Sequence, residues 1–265
     1  MNFNTAKLIS SSRMYDSSGN DLSLLEQVAY CARVSNPANQ NNHDSSERLC
    51  DYLLKHHHYS PFEMVNICVE IETTRDIGRQ ILRHRSFTFQ EFSQRYAEAT
   101  DFTVRECRLQ HEKNRQQSVE LTPTSVLDQI LQDQFTSIQQ ELIGLEKKYY
   151  GFCMMNNIAK EQARCILSEG LTKTRMYMNG TLRSWIHYIQ IRTDRNTTQK
   201  EHCDVAIKIA AEIEKVFPQI RNFIHVDPQI PADVKKPVEI SKRRSGWLGF
   251  LDKMFFYDDE DDDEN

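Results

Sequence analysis

One stretch of alternating side chains limits this chain more than any other. Val65, Ile67, Val69 and Ile71 are separated by Asn66, Cys68, Glu70 and Glu72, the period of a strand with one apolar and one polar face. After Thr74 the period becomes helical, with Ile77 and Ile81 four residues apart, so this strand leads straight into a helix. On that helix Gln80, Arg83 and His84 share a neighbouring face.

The other periodic segments are helical. Residues 20 to 34 predict a helix with capping-box spacing at Ser23 and Glu26. A second, over 45 to 56, carries Leu49 and Leu53, ends in His56, His57 and His58, and is stopped by Pro61. A long one over about 124 to 150 has its apolar side at Leu127, Ile130, Leu131, Ile138, Leu142, Leu145 and Tyr149. Shorter helices are expected over about 158 to 168, 180 to 192 and 201 to 217. Residues 86 to 118 are polar, aromatic and irregular, more like a site-forming loop than a core element. One clear strand among many helices gives the class α+β, a helix-rich domain with a small sheet.

Composition removes several functions. Only eight of 265 residues are glycine, and none forms Gly-x-Gly, so neither a dinucleotide fingerprint nor a phosphate-cradling P-loop is available. Arginines must therefore supply many contacts to any phosphate. Seven scattered cysteines with no Cys-x-x-Cys pair argue against a disulfide framework and a four-thiolate zinc site. No apolar run reaches about 18 residues, and the N-terminus lacks the basic and apolar regions of a signal peptide; a cytoplasmic protein with no membrane span is expected.

The net charge of -5 is misleading, because Asp258 to Asn265 holds seven carboxylates and the remaining 257 residues sum to +2. From about Val226 the periodicity dissolves into three prolines, a basic knot (Lys242, Arg243, Arg244), an aromatic cluster from Trp247 to Tyr257, and the acidic run. The expected division is a catalytic domain over 1–225 and a linker with a terminal peptide over 226–265. That tail is either a solubilising terminus or a protein-docking peptide.

The densest polar constellation is Arg83, His84 and Arg85, followed after seven residues by Ser93, with Glu91, Arg95 and Tyr96 beside it. Guanidinium forks bind phosphate oxygens bidentately and a serine donates to the same group, so this reads as an anion site; the bland alternative is a solvated helix end. A hydrolase built on Ser93 lacks an identifiable acid and oxyanion element. The run His56 to His58 is a poor metal clasp, since three adjacent side chains do not readily converge, and no metal is expected. A nucleic-acid-binding module using Arg83, Arg85, Arg95, Lys113 and Arg115 predicts a broad positive surface, which a body charge of +2 does not favour.

Arg-His-Arg, seven residues, then Ser, continuing as Glu91-Phe92-Ser93-Gln94-Arg95-Tyr96, resembles the signature of the flavin-dependent thymidylate synthases. Supporting matches occur at Ala32 to Ser35, His58 to Glu63, Ala163 with Arg164, and Leu182 to Ile186 with Arg192. The resemblance implies a compact, helix-rich α+β domain with a small antiparallel sheet, of the thymidylate synthase complementing protein type. It implies conversion of dUMP to dTMP with FAD as hydride relay, 5,10-methylenetetrahydrofolate as carbon donor and NADPH as reductant. It further implies a homotetramer with active sites shared between subunits.

By the same resemblance Gln80, Arg83, Glu91, Ser93, Arg95, Arg164 and Arg192 look like dUMP contacts. Ser93, Arg95 and Arg164 would hold the phosphate, Arg192 would lie against the pyrimidine, and Arg192 and Ser93 are the residues expected to matter most for catalysis. Ser35, His58, Ser60, Glu63, Arg83, His84, Arg85, Glu91, Arg183 and His187 look like flavin contacts. None of the cysteines stands in the Pro-Cys-His setting of the unrelated classical enzymes. This chain departs from its relatives at Thr181, where some have Asn. It also departs in the 193–201 segment, which lacks a clear equivalent of the family's flavin-facing histidine and leaves Asn196 or Thr197 in its place. That altered segment is what a catalytically dead scaffold would show. Residues 105 to 118 resemble an insertion found in some members, with no role assigned.

Overall fold

A computed structural model describes residues 3–225; the segment 226–265, with its expected linker, aromatic cluster and acidic run, lies outside the described residues. From the N-terminus come β1 (Thr5–Ser11), β2 (Met14–Tyr15), β3 (Asp21–Leu22), α1 (Leu24–Ala32) and α2 (Ser46–Lys55). Then follow β4 (Asn66–Thr74), α3 (Arg75–Ile81), β5 (Thr88–Glu91), β6 (Arg108–Gln110), β7 (Ser118–Glu120) and α4 (Val126–Met155). Last are α5 (Lys160–Ala163), β8 (Lys173–Thr181), α6 (Leu182–Arg192) and α7 (Lys200–Glu214).

Four strands form one antiparallel sheet in the order β1-β4-β8-β5. Its centre is β4 against β8, in register from Asn66 opposite Thr181 to Thr74 opposite Lys173. Ile67, Val69 and Ile71 of β4 and Thr174, Met176, Met178 and Gly180 of β8 point to the buried side, while Arg175, Tyr177 and Asn179 point outward, as strand alternation requires. The buried face packs on α6 and α7 through Trp185, Tyr188, Ile189, Val205, Ile209 and Ile213. Trp185 satisfies its indole by donating Nε1–H to Ile67 O at 3.0 Å.

The expected strand at 65–72 and the helix after Thr74 are β4 and α3, and the capping box is present at α1, where Ser23 N–H donates to Glu26 Oε2 at 2.8 Å. Three expectations are corrected. The helix expected from residue 20 begins at Leu24, because Asp21 and Leu22 pair with Met14 and Tyr15. The helix expected over 158–168 is a single α-turn, α5, followed by a 3-10 turn over Arg164–Ile166. Residues 86 to 118 are not wholly irregular: β5 closes the sheet edge and β6 with β7 forms a separate hairpin. Cys50, Cys107 and Cys203 are buried and Cys165 is exposed; all seven thiols are free.

The long helix is the largest surprise. α4 spans 30 residues, and its apolar stripe faces away from the core, with Ile138 49% and Tyr149 52% exposed. Its inward contacts are polar. Gln139 accepts from Arg105 N–H at 2.8 Å and donates back to Arg105 O at 3.0 Å, while Glu146 accepts from Ser168 N–H at 3.0 Å.

Gly180 shows how closely the site loop is seated. A Cβ at this position would lie 2.4 Å from the Phe87 ring, and Phe87 in turn stacks edge-on against Trp185 at 4.7 Å. The aromatic therefore pins the turn after His84 and Arg85 directly onto the sheet. Gly180→Ala should lower unfolding stability by about 1–3 kcal/mol, the usual cost of overpacking, measured by urea denaturation. An unchanged midpoint would mean Phe87 moves aside freely.

Candidate active site

Because β4 and β8 are antiparallel and each leads directly into a helix, α3 and α6 start at opposite ends of the sheet. Thr181 caps α6 by accepting from Ser184 N–H at 3.2 Å. The two helices then run toward each other along the buried face. Their C-terminal ends meet, and there Arg192 donates Nε–H to Nε2 of His84 at 2.9 Å. Gln80 lies in the same place, hydrogen-bonded to Gln199 at 2.7 Å and His202 at 3.2 Å.

This first group has defined protonation. His84 accepts from Arg192, so its Nε2 is unprotonated and the ring is neutral. Burial, then the Arg192, His187 and Arg83 charges, push its pKa down to about 4. His202, deeper still, is pushed down to about 3 by burial and by Arg192 and His84. The Tyr188 hydroxyl, hydrogen-bonded to His202 at 3.0 Å, is raised by burial. Arg192 uses only Nε on His84, so its two terminal nitrogens remain available to a ligand.

A second group collects Ser93, Arg95 and Arg164. Ser93 Oγ accepts from Arg95 N–H at 3.3 Å, and the exposed Arg95 guanidinium reaches Glu161 at 3.5 Å, three residues before Arg164. Glu91 is held apart from them: Thr174 Oγ1–H donates to it at 2.9 Å and Arg75 and Arg79 approach at 3.6 and 3.5 Å.

A third group stands at the start of α6. Glu63 accepts from Thr181 Oγ1–H at 2.7 Å and faces Arg183 at 3.6 Å; Arg183 also lies over the Tyr59 ring at 5.8 Å. Ser60 and Glu63 share the 3-10 turn Ser60–Met64. Arg183 and His187 lie one turn apart and away from Leu182, Trp185 and Ile189, which are buried, the separation of faces expected from the sequence. Ser184 Oγ–H donates to Ser86 O at 3.4 Å, so the exposed turn bearing Arg83 and Arg85 lies against this end of α6. Ser35 and His58 are exposed, and the structure brings neither into hydrogen-bonding contact with the third group.

Most of the expected site residues thus fall into three stations within one chain, with Ser35, His58 and Glu91 outside them. Two surface cavities occur elsewhere, one among Arg105, Arg108, Lys200 and Glu201, the other between α2 and Phe223, and neither includes an expected ligand contact. Among the described residues no group of three His, Cys, Asp or Glu side chains is placed to hold a metal, and no helix is long and apolar enough to cross a membrane. Sequence reasoning missed Gln199, Glu201 and His202, which contact Gln80 directly or through each other. The only signal was polarity where apolar residues are expected, Glu201 and His202 at the start of α7 and Gln199 just before it.

Fold and site together describe an α+β protein with a small antiparallel sheet and an arginine held by a neutral histidine where two helix ends converge. Residues 22–219 match the family model described as thymidylate synthase complementing protein. A probable flavin-dependent thymidylate synthase from Paramecium bursaria Chlorella virus 1 is 43% identical over 196 residues, 74% of this chain and 88% of the relative. A flavin-dependent thymidylate synthase from Synechocystis is 43% identical over 202 residues, covering 76% and 90%. Among solved structures, a UMP/dUMP methylase, PolB of Streptomyces cacaoi bound with 5-Br dUMP, aligns with TM-score 0.69 and 25% identity over 84% of this chain and 95% of that one. The chain belongs to the flavin-dependent thymidylate synthase family.

The neutral histidines give a signed pH dependence. In the unfolded chain both titrate near 6.5, whereas the folded protein resists protonation until about 4 and 3. The unfolded state therefore binds more protons in that window, and stability must rise with pH up to about 6.5. The urea midpoint should be lower at pH 5.5 than at pH 7, and His84→Gln should shrink that difference. A midpoint that rises on acidification contradicts the neutral assignment.

Proposed function

We propose that the protein catalyses FAD-dependent reductive methylation of dUMP to dTMP, with 5,10-methylenetetrahydrofolate as carbon donor and NADPH as reductant. The observation that carries this reading is the Arg192–His84 pair at the meeting point of α3 and α6, within the segment that matches the family. A cation held by a neutral acceptor keeps its full charge and its terminal donors for a ligand.

The donor set suits the two anionic molecules the reaction needs. Ser93, Arg95 and Arg164 supply a hydroxyl and two exposed guanidinium groups, the chemistry of a nucleotide phosphate site. Arg183, Glu63 and Ser60, with the Arg83–Arg85 turn, offer cationic and polar groups suited to FAD, which when bound supplies hydride-transfer chemistry. Gln80 offers an amide that matches the hydrogen-bonding edge of a pyrimidine. Arg192, against the base, stabilises negative charge as it develops on the ring, a fixed dipole and charge effect of the oxyanion-hole kind. Ser93 acts as an anchoring donor. His84 holds Arg192 in place and, being neutral, does not repel it.

A homotetramer with shared sites belongs to this proposal, and α4 supports it. Leu131, Phe135, Ile138, Leu142, Leu145, Tyr149 and Phe152 alternate by four and three residues, the seam of helices that pack side by side; all but Leu131 rank among the exposed large apolar side chains. Such a stripe left to solvent is unusual for a monomer. A cytoplasmic location, and a separate protein partner for the aromatic and acidic segment 247–264, are further parts of this reading, resting on composition.

Purified protein should be yellow, and NADPH should bleach its flavin absorbance; colourless protein that fails to take up FAD would overturn the proposal. Arg192→Ala should abolish dTMP formation while retaining flavin, assayed by product formation and absorbance. Loss of all FAD with normal dUMP affinity would instead place Arg192 in the flavin site. Ile138→Glu with Leu142→Glu should shift the protein from tetramer to smaller species in light scattering, since each buried side chain is worth roughly 1.5–3 kcal/mol. An unchanged mass would remove α4 from the subunit interface.

A further inference from the structure

The hydrogen bonds around Gln80 continue in a single line. Tyr188 O–H and His202 Nε2 are 3.0 Å apart, His202 Nδ1 and Gln80 Oε1 3.2 Å. Gln80 Nε2–H donates to Gln199 Oε1 at 2.7 Å, and Gln199 Nε2–H donates to Glu201 Oε2 at 2.9 Å. Arg108 of the β6–β7 hairpin meets the other carboxylate oxygen, Glu201 Oε1, at 2.5 Å.

The direction of this line follows from its last acceptor. Glu201 lies against Arg108, which lowers its pKa against the effect of burial, so it is ionised and only accepts. Gln199 must therefore turn its NH2 toward Glu201 and its carbonyl toward Gln80. Gln80 must then give its own NH2 to Gln199 and its carbonyl to His202. His202 must carry its proton on Nδ1, which leaves Nε2 to accept from Tyr188. Reversing Gln199 would set two acceptors against each other at Glu201, and reversing Gln80 would do so at Gln199. Gln80 keeps one N–H and one carbonyl lone pair outside the line.

We propose that Gln199, Glu201 and His202 are positioning residues for Gln80, fixing which end of its amide meets the pyrimidine nucleotide, with Arg108 of the hairpin anchoring the carboxylate that sets the direction. This rests on Gln80 being a nucleotide contact. The 105–118 insertion thereby gains a role: Asn114 Nδ2–H donates to Asn196 O at 3.1 Å and Gln117 Nε2–H to Asn196 Oδ1 at 3.1 Å, while Lys200 bridges Glu106 at 2.8 Å and Glu120 at 2.6 Å. The hairpin clamps the segment that carries Gln199 and Glu201.

The test uses the FAD-loaded full-length protein, dUMP affinity by titration calorimetry, and kcat at saturating dUMP. Glu201→Gln removes the fixed direction without changing shape. It should weaken dUMP about five- to tenfold, the range of one hydrogen bond, with kcat and bound FAD nearly unchanged. Gln199→Met, at a half-buried position, should do the same and serves if Glu201→Gln folds poorly. Gln80→Ala should weaken dUMP at least as much, and Gln80→Ala with Glu201→Gln should be no weaker than Gln80→Ala alone, the non-additivity of residues acting through one another. Additive losses, or wild-type affinity in Glu201→Gln and Gln199→Met beside a weakened Gln80→Ala, would overturn the inference. Wild-type affinity in Gln80→Ala would overturn it through its premise, whereas failure of the enzymatic reading itself would appear as no dTMP formed by the unmutated protein.

Discussion

The antiparallel pairing of β4 with β8 is the constraint on which the rest depends. Nine residue pairs hold the strands in register, and neither strand has a loop before its helix. Nine residues of strand are about 30 Å long, while α3 and α6 together are about 27 Å at 1.5 Å per residue. Helices that start from opposite ends of the pair must therefore meet end to end on its buried face. The contact between Arg192 and His84 is the consequence, although these residues are 108 positions apart. A shift of register by one residue would turn every core side chain of one strand outward, and would also part the helix ends. The hydrophobic face and the site are specified by the same ladder.

Charge is arranged on two levels. At the surface Arg95, Arg183 and Arg79 rest against Glu161, Glu63 and Glu169. Exposed pairs of this kind contribute about 0–1 kcal/mol each, so each arginine is held extended while its carboxylate is exchanged at little cost. Inside, Arg192 is different. It faces neutral groups, His84 directly and Tyr188 and His202 behind it, and burial keeps both imidazoles uncharged. Protonating either would set a second cation beside the first. The near-neutral sum of the body thus hides a separation between replaceable surface pairs and a guanidinium, that of Arg192, held by a neutral imidazole.

Where the sequence was legible, burial and periodicity arose from the same contact. β4, α3, the capping box of α1 and the two faces of α6 were readable because their apolar sides meet this chain's own core. β8 was missed although Thr174, Met176, Met178 and Gly180 alternate inward, since methionine and glycine are weak strand formers and Gly180 serves Phe87 instead. In α4 the apolar period is plain in the sequence, but the stripe faces away from this chain's core: periodicity reports the apolar face of a helix, not what that face packs against. The Arg83 to Arg95 site residues were visible because arginines, histidine and serine crowd together. Gln199, Glu201 and His202 lie about 120 residues from Gln80, and no local pattern connects them.

The segment after Arg192 illustrates why an altered loop need not mean a lost activity. Its first residue, Thr193, is buried and bonds Ile189 O, and its N–H and side chain continue the end of α6. Asp194 then accepts from Asn196 N–H and from Thr197 Oγ1–H, Thr198 returns to Ile191 O at 3.1 Å, and the hairpin grips Asn196 from outside. A seven-residue connection so fully tied has little freedom left to lose when a ligand binds, and that conformational entropy would otherwise reduce affinity. The hairpin provides this order through the backbone carbonyls of Arg195 and Asn196 and through the side chains of Asn196 and Glu201. A loop held from outside in this way keeps Gln199 and Glu201 where Gln80 needs them.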